Sequence, residues 1–447
     1  MLSRRFDRQI FALALPALGT LAADPLVSLV DTAWVGRLGP VPLGALGVCT
    51  ALFSLGFIVF NFLAYATTPR VARALGVGNR EGAGRAALES LTLAVILGLV
   101  AFLVFQLLAV PALRIMGAHG ELFEPALGYL RVRLLAVPAL LLILASNGIY
   151  RGHQDMRTPF RVALVLNAIN FILDPLFIFG FGWGLNGAAW ATVAAQWVGA
   201  ALFVRLLLFR DRGKTGLQSL RDFRMPALAT LLPFLRAGWD LALRTFALLL
   251  ALAVATAVAT RVGVIEVAAH QVAVQLWLFM ALIVDALAIS AQSLVASYVG
   301  QGRPAAARAV ADRLILLALL VGIALGIFFW LARYPLAGLF TDDAPVVAAL
   351  LAIFPFVAAM QPLNSLVFIW DGIFIGLEDY RYLAGAMILA SLVGIGCFLL
   401  VIPLDLGLSG IWWGMVILML ARIGTLAYRY WGTAIFRLKA REAREGA

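Results

Sequence analysis

The chain has 447 residues, of which 63% are hydrophobic and only 13% are charged, and its mean hydropathy is +1.00. A water-soluble domain cannot bury that much apolar surface, so the composition excludes a soluble globular protein and makes lipid the solvent. The formal net charge of +11 does not indicate nucleic acid as a partner, because the basic residues cluster in alternate loops between apolar runs.

Twelve apolar runs follow one another along the chain, and each reaches the roughly 20 residues that a helix needs to cross a bilayer. The first run follows three arginines but is too long for a signal peptide, so we interpret it as a permanent span. Since arginines are frequent in every second loop, the positive-inside rule predicts that both termini are cytoplasmic. The pattern predicts an all-α polytopic membrane protein with transmembrane helices at residues 10–36, 43–68, 88–110, 126–149, 160–181, 184–209, 227–260, 265–298, 311–334, 346–374, 383–403 and 407–432.

The sequence repeats itself at an offset of about 224 residues, which is typical of secondary transporters. The segment Tyr150–Arg157, YRGHQDMR, matches Phe374–Arg381, FIGLEDYR, and Pro138 matches Pro362. An even number of spans in each half predicts two parallel six-helix repeats. The predicted organisation is an N-lobe at 1–209, a cytoplasmic linker at 210–226, a C-lobe at 227–432 and a cytoplasmic tail at 433–447.

Acidic and amide side chains lie inside two spans of the first half, where ionisable groups are costly and usually functional. Asp24 and Asp31 are seven residues apart in the first span, and Asn170 and Asp174 share a face of the fifth. Two converging carboxylates with an amide predict a site for a proton or for Na⁺. For Asp24 a structural role beside Pro25 is an equal alternative.

The second half carries a different polar set. Asp240 and Arg244, at i and i+4 in the seventh span, are predicted to neutralise each other. Gln271, Asp285 and Asp371 are secondary candidates that either line a cavity or bond across helices.

Three segments resemble the multidrug and toxic compound extrusion (MATE) transporters, and within them the DNA-damage-inducible F (DinF) branch: Leu29–Gly39, Asn170–Gly180 and Asp371–Arg381. The resemblance covers essentially the whole chain and implies two six-helix lobes around a V-shaped central cavity. It also implies a bend of the first helix at Pro16, and it leaves a second cation site in the C-lobe without a clear carboxylate. The implied cation-coupling residues are Asp31, Tyr129, Asn147, Asn170, Asp174 and Thr192, of which Asp31, Asn170, Asp174 and Thr192 would hold Na⁺ if that is the ion.

The function that these features predict is a secondary active transporter and not an enzyme. We expect an antiporter that exchanges an inward H⁺ or Na⁺ gradient for export of lipophilic or cationic drugs or toxic metabolites by alternating access. No cofactor is expected besides the coupling ion. The expected partners are the lipid bilayer and small substrates, without nucleic acid, and the expected state is a monomer in the inner (cytoplasmic) membrane.

Two alternatives remain at this stage. A flippase for lipid-linked substrates would need arginines or lysines in its cavity, whereas here the arginines concentrate in loops and Arg244 is the main exception. An intramembrane enzyme or a channel is the second alternative. His119, His153 and His270 have no metal-ligand spacing, and no pore-loop signature is present.

Overall fold

The computed structural model describes residues 2–215, 228–340 and 343–445, and within them all regular structure is helical. Most of the predicted linker lies outside these residues. The helices are α1 Leu2–Gly36, α2 Pro40–Phe57, α3 Phe62–Gly76, α4 Arg80–Ile115, α5 Phe123–Leu134, α6 Val137–Gly152, α7 Arg157–Pro175, α8 Gly184–Arg205, α9 Arg212–Thr215, α10 Leu228–Val262, α11 Val264–Gly300, α12 Pro304–Phe340, α13 Ala344–Ala359, α14 Gln361–Gly376, α15 Tyr380–Leu400, α16 Gly407–Gly432 and α17 Ile435–Glu445.

Ten helical stretches are long and apolar enough to cross a membrane, and two further pairs of helices form one bent span each. Counted in this way, the described residues contain twelve spans, six in each repeat, as the sequence predicts. The bent pairs are α5 with α6 and α13 with α14, at the fourth position of each repeat.

The sequence predicts one span at 126–149 and one at 346–374, and the structure adds a bend within each of them. The bend is 46° between α5 and α6 and 48° between α13 and α14. In each case a proline, Pro138 or Pro362, occupies the first turn of the second helix. Proline has no N–H to donate and its ring clashes with the preceding turn, so a new helix begins there.

The sequence repeat is also a repeat of unusual backbone geometry. Gln154 and Glu378 occupy the same place in the repeated motif, and their φ angles are +58° and +56°, in the left-handed region. Directly after them, the amide of Asp155 donates to the carbonyl of Tyr150 and that of Asp379 to Phe374, at 2.9 and 3.0 Å. The two halves therefore have the same backbone turn at equivalent positions, and we call this repeated backbone arrangement the framework.

Close helix contacts are repeated as well. A Cβ added at Gly98 would lie 2.7 Å from Cα of Pro138, and one added at Gly322 would lie 2.8 Å from Cα of Pro362. Small residues allow helices in a membrane to approach this closely. The same contact therefore holds the third span against the bent fourth span in each repeat.

The chain forms two compact units. We call Leu15–Gly238 the first-repeat unit, and Met1–Ala14 together with Trp239–Ala447 the second-repeat unit. The division falls inside α1 and inside α10. The start of α1 is attached to the second-repeat unit by Asp7, which accepts two hydrogen bonds from Arg313 at 2.6 and 2.7 Å.

Candidate cation site

A cavity of about 400 Å³ lies within the first-repeat unit, between α1, α2, α5, α6, α7 and α8. One part of its wall is apolar and includes Leu46, Phe53 and Leu144. The polar part brings together most of the predicted site residues: Asp31, Tyr129, Asn147, Asn170 and Thr192.

An acidic pair lies at this polar wall. Asp174 is completely buried, and its carboxyl group is within hydrogen-bonding reach of that of Asp31. Asn170, also buried, donates from Nδ2 to Oδ1 of Asp174 at 3.2 Å. A buried carboxylate in contact with a half-buried one makes it costly for both to carry a negative charge, so the pair favours a bound proton or cation.

Local sequence explains why α7 presents these groups. Asn170 and Asp174 are four residues apart, so they share one face of the helix. The regular helix ends at Pro175, and a wider π-helical turn follows at Leu176–Gly180. Such turns inside helices are frequent at functional sites.

Four oxygens around the site are buried and have no hydrogen-bond partner among the described residues: Asp31 Oδ1, Asn147 Oδ1, Asn170 Oδ1 and Asp174 Oδ2. A buried polar atom without a partner costs about 1–3 kcal/mol. All four atoms are acceptors, and carboxylate and amide oxygens are the ligands that hard cations prefer. The residues present therefore fit a proton or Na⁺.

The remaining predicted residues of this unit have different surroundings. The Thr192 hydroxyl donates to the carbonyl of Ala188 at 3.0 Å, and its lone pairs remain available to the cavity. Tyr129 is 6% exposed. Helix α1 continues through Pro16, whose carbonyl accepts the hydroxyl of Thr20 at 3.0 Å. The side chain of Asp24 lies outside the described part of the chain.

Arg133 is a residue of this cavity that the sequence analysis missed. Its Nη1 donates to Oε1 of Gln196 at 2.9 Å, and its Cζ lies 4.6 Å from the ring centroid of Phe53. It also interacts electrostatically with Asp31. The available signal was its position inside the predicted fourth span, at 126–149.

The second-repeat unit contains a buried ion-pair cluster. Arg422 Nη2 donates to Oδ2 of Asp371 at 2.6 Å, and Arg244 Nη2 pairs with the same oxygen. Asp371 thus bonds across helices, to α10 and α16. Asp285 interacts electrostatically with Arg422, and Gln271 is exposed.

Two expectations about arginines are wrong. Arg244 pairs with Asp371 and not with Asp240, because a buried carboxylate needs a counter-charge more than a partly exposed one does. Arg244 is also not the main arginine inside the spans, since Arg422 is buried in α16 and Arg133 lines the cavity. The scarcity of arginine therefore no longer argues against a flippase.

Comparisons with known proteins agree with one another. The sequence model of the family described as MatE matches residues 16–176 and 241–399. The chain is 32% identical over 448 residues to Protein DETOXIFICATION 44, chloroplastic, of Arabidopsis thaliana, and the match covers 95% of this chain and 82% of the relative. It is 32% identical over 292 residues to DNA damage-inducible protein F of Escherichia coli (strain K12), and the match covers 64% of this chain and 62% of that relative.

Solved structures are similar over nearly the full length. A crystal structure described as MATE in the bent conformation has a TM-score of 0.89 and 26% identity. The match covers 99% of this chain and 97% of the chain in that structure. A structure described as the outward-facing conformation of a multidrug resistance MATE family transporter has a TM-score of 0.87 and 25% identity. The match covers 98% of this chain and 97% of the chain in that structure.

Proposed function

Because the chain belongs to the MatE family of multi-pass membrane transporters, we propose that it is a cation-coupled antiporter that exports lipophilic or cationic compounds by alternating access. Similarity to DNA damage-inducible protein F supports placing it in that branch of the family. The observation that carries the proposal is the contact between the half-buried carboxyl group of Asp31 and the buried one of Asp174, where each carboxyl group has an oxygen without a donor among the described residues.

The acidic pair is suited to load and release a coupling ion. A proton bound between the two carboxyl groups removes their repulsion, and Na⁺ does so with further oxygens from Asn170 and Thr192. Since Asp31 belongs to α1 and Asp174 to α7, a cation between them also joins two helices. Binding and release therefore change both the charge of the cavity and the packing of α1.

The cavity is suited to hold an amphiphilic substrate in exchange. Its volume of about 400 Å³ lies within the usual range for small-molecule sites, about 300–1,000 Å³. Apolar wall residues accommodate a lipophilic body, while the negative charge of Asp31 attracts a cationic group. The cation and a cationic substrate then weaken each other's binding, because such coupling between ligands is reciprocal.

We also propose that the protein lies in the inner membrane with both termini cytoplasmic. Arginines are concentrated in alternate loops, and the positive-inside rule then orients the chain. A bacterial relative, DNA damage-inducible protein F, is consistent with that location.

Efflux of ethidium from reconstituted vesicles tests the function, with a proton gradient and a sodium gradient imposed separately. We expect wild type to respond to at least one gradient and Asp31→Asn to lose the gradient-driven flux by at least about tenfold, because Asp174 is then left without the acidic neighbour whose repulsion a bound cation relieves. The exposed acid Asp405 offers a matched control, and Asp405→Asn is expected to transport as wild type does. Wild-type protein without any gradient-dependent flux would refute antiport of this substrate class.

A flippase is the second candidate, and Arg133 is the observation that favours it. A guanidinium in the cavity wall can bind the phosphate of a lipid headgroup. Transfer of a fluorescent anionic lipid across the same vesicles, without any cation gradient and abolished by Arg133→Gln, would establish this function in place of antiport.

A further inference from the structure

The apolar part of the first-repeat cavity has a counterpart in the second-repeat unit, at the offset of the sequence repeat. Four residues of α2 and α6 belong to this part of the wall: Leu46, Phe53, Leu140 and Leu144. The repeat places four others at the equivalent positions of α11 and α14: His270, Trp277, Asn364 and Phe368. Three of these carry ring or amide nitrogens, so the second repeat has polar groups where the first has hydrocarbon.

The four side chains of the second repeat share one region between α11 and α14. The ring centroids of Trp277 and Phe368 are 6.3 Å apart, so the two helix faces meet there. Asn364 lies one turn before Phe368 on the same face of α14. His270 lies two turns before Trp277 on the same face of α11, and its ring centroid is 5.9 Å from that of Trp412 on α16. Aromatic rings and polar groups are therefore brought together inside the second-repeat unit.

Three of these side chains are buried and carry polar atoms without a hydrogen-bond partner in the described part of the chain. His270 is 0% exposed, Trp277 is 2% exposed and Asn364 is 3% exposed. The unpaired atoms are both ring nitrogens of His270, Nε1 of Trp277, and Nδ2 and Oδ1 of Asn364. Buried polar groups nearly always have a partner, because an unpaired one destabilises the fold. A set of unpaired donors and acceptors in one region therefore calls for a ligand that pairs with them.

We infer that the region between α11 and α14 is a second binding site, closed in this structure, for an uncharged aromatic compound that carries a hydroxyl group. Nε1 of Trp277 can only donate and Oδ1 of Asn364 can only accept, and a hydroxyl group can pair with both. The rings of Trp277 and Phe368 offer flat apolar surfaces to an aromatic body. Because these side chains are buried against each other, the ligand itself must open the site, as ligands of cryptic sites do.

The preference for an uncharged ligand follows from what the second repeat lacks. Ala255 and Phe398 occupy the positions of Asp31 and Asp174, so the acidic pair is not repeated. The carboxylate of Asp371, which lies one turn beyond Phe368 on α14, is paired with two arginines. This site goes beyond the proposed function, since antiport at the first-repeat cavity does not need it.

The test compares the binding of 2-naphthol with that of naphthalene, which lacks only the hydroxyl group, to the full-length protein in detergent. Equilibrium dialysis against protein-free micelles measures the dissociation constants, with and without saturating ethidium. For wild type we expect 2-naphthol to bind at least about tenfold more tightly than naphthalene, because its hydroxyl pairs with buried groups that are otherwise unpaired. Ethidium should not displace it, since the two compounds then occupy different units.

Two substitutions that restore the residues of the first repeat locate the site. Asn364→Leu and Trp277→Phe each remove unpaired polar atoms and keep an apolar side chain, as Leu140 and Phe53 do in the first repeat. Each should weaken the binding of 2-naphthol about tenfold and change that of naphthalene by less than about twofold. Without ligand, Asn364→Leu should melt at the wild-type temperature or above, because no hydrogen bond is lost. Gln275 of α11 is exposed, so Gln275→Leu is the matched control and should bind both compounds as wild type does.

The possible outcomes are distinct. Wild type that does not bind 2-naphthol, or binds it no more tightly than naphthalene, overturns the inference without any variant. Displacement of 2-naphthol by ethidium overturns it as well, because the ligand then belongs to the first-repeat cavity. A lower melting temperature of ligand-free Asn364→Leu overturns it too, since the amide is then paired within the fold, for example by ordered water. None of these measurements involves a cation gradient, so a failure of the proposed antiport is a separate result.

Discussion

Asn147 of the first repeat and Asp371 of the second are equivalent positions of the sequence repeat, and so are Thr20 and Arg244. In the first-repeat unit the amide oxygen of Asn147 is buried and has no donor among the described residues, at a cavity that Asp31 also lines. In the second-repeat unit Asp371 is paired with Arg244 and Arg422. The same framework thus carries oxygens without donors in the described part of one half, and a carboxylate already paired with arginines of the chain in the other.

The difference shows how duplicated halves can acquire different tasks. A mobile cation can leave and return, and it exchanges with another charged ligand. A guanidinium attached to the chain cannot leave. Because it already compensates the charge of its carboxylate partner, that carboxylate does not need an ion from solution. Under the proposed function, ion exchange belongs to the first-repeat unit, whereas the ion-pair cluster of the second contributes stability.

The largest expected effect comes from replacing a buried aspartate by asparagine, once in each half. Asp371→Asn leaves Arg422 buried without its carboxylate, and breaking such a pair usually costs about 3–5 kcal/mol. Asp174→Asn removes repulsion between acids, so without coupling cations it should leave thermal stability equal to wild type or higher. The melting temperatures of both variants in cation-depleted detergent solution check this contrast.

Addition of the coupling cation sharpens the same experiment. The ion should stabilise wild type and Asp405→Asn, because any ligand that binds the folded state stabilises it. It should not stabilise Asp174→Asn. Equal losses of stability for Asp174→Asn and Asp371→Asn would contradict the division of roles.

A smaller effect is expected at the glycine–proline contact that occurs once within each repeat. A methyl group at Gly98 or Gly322 meets the Cα atom of the facing proline at less than 3 Å, and overpacking of this kind costs about 1–3 kcal/mol. Gly98→Ala and Gly322→Ala should therefore lower the melting temperature by similar amounts. Gly396 of α15 has open space around it, and Gly396→Ala should not destabilise the protein. A lower melting temperature for only one of the two variants would show that the helix packing of the two repeats is not equivalent.

The smallest expected effect concerns His153, which lies just beyond the span formed by α5 and α6. Its counterpart in the repeat is the buried Leu377. Burial lowers the pKa of His153 to about 4, against the opposing influence of Asp155 and Asp211. The unfolded chain takes up a proton below about pH 6.5 while the folded chain does not, so this contribution to stability is full above that pH and is lost as the pH falls toward 4.

His153→Leu should therefore lose about 1 kcal/mol less stability than wild type when the pH is lowered to about 6. Melting temperatures at neutral pH and at the lower pH provide the measurement. The exposed His119 is the control, since His119→Leu should keep the wild-type slope. An unchanged slope for His153→Leu would contradict the assignment.

The sequence by itself determined the spans, the repeat and the shared face of Asn170 and Asp174. These are consequences of local composition and helical periodicity, because a span needs about 20 apolar residues and neighbours four apart lie on one face. The bends at Pro138 and Pro362 had a local cause too, and the repeated prolines marked their positions without revealing the angle.

Only the tertiary structure decided which groups meet across helices. The contact of Asp31 with Asp174 depends on the rotation of α1 against α7, which the sequence does not specify. Arg244 had an acid one turn away, yet its long side chain reaches Asp371 on another helix. Arg133 could have extended to solvent, and it is the positions of Gln196 and Phe53 that bring its charge into the cavity. Long side chains reach several partners, so helix packing selects among them.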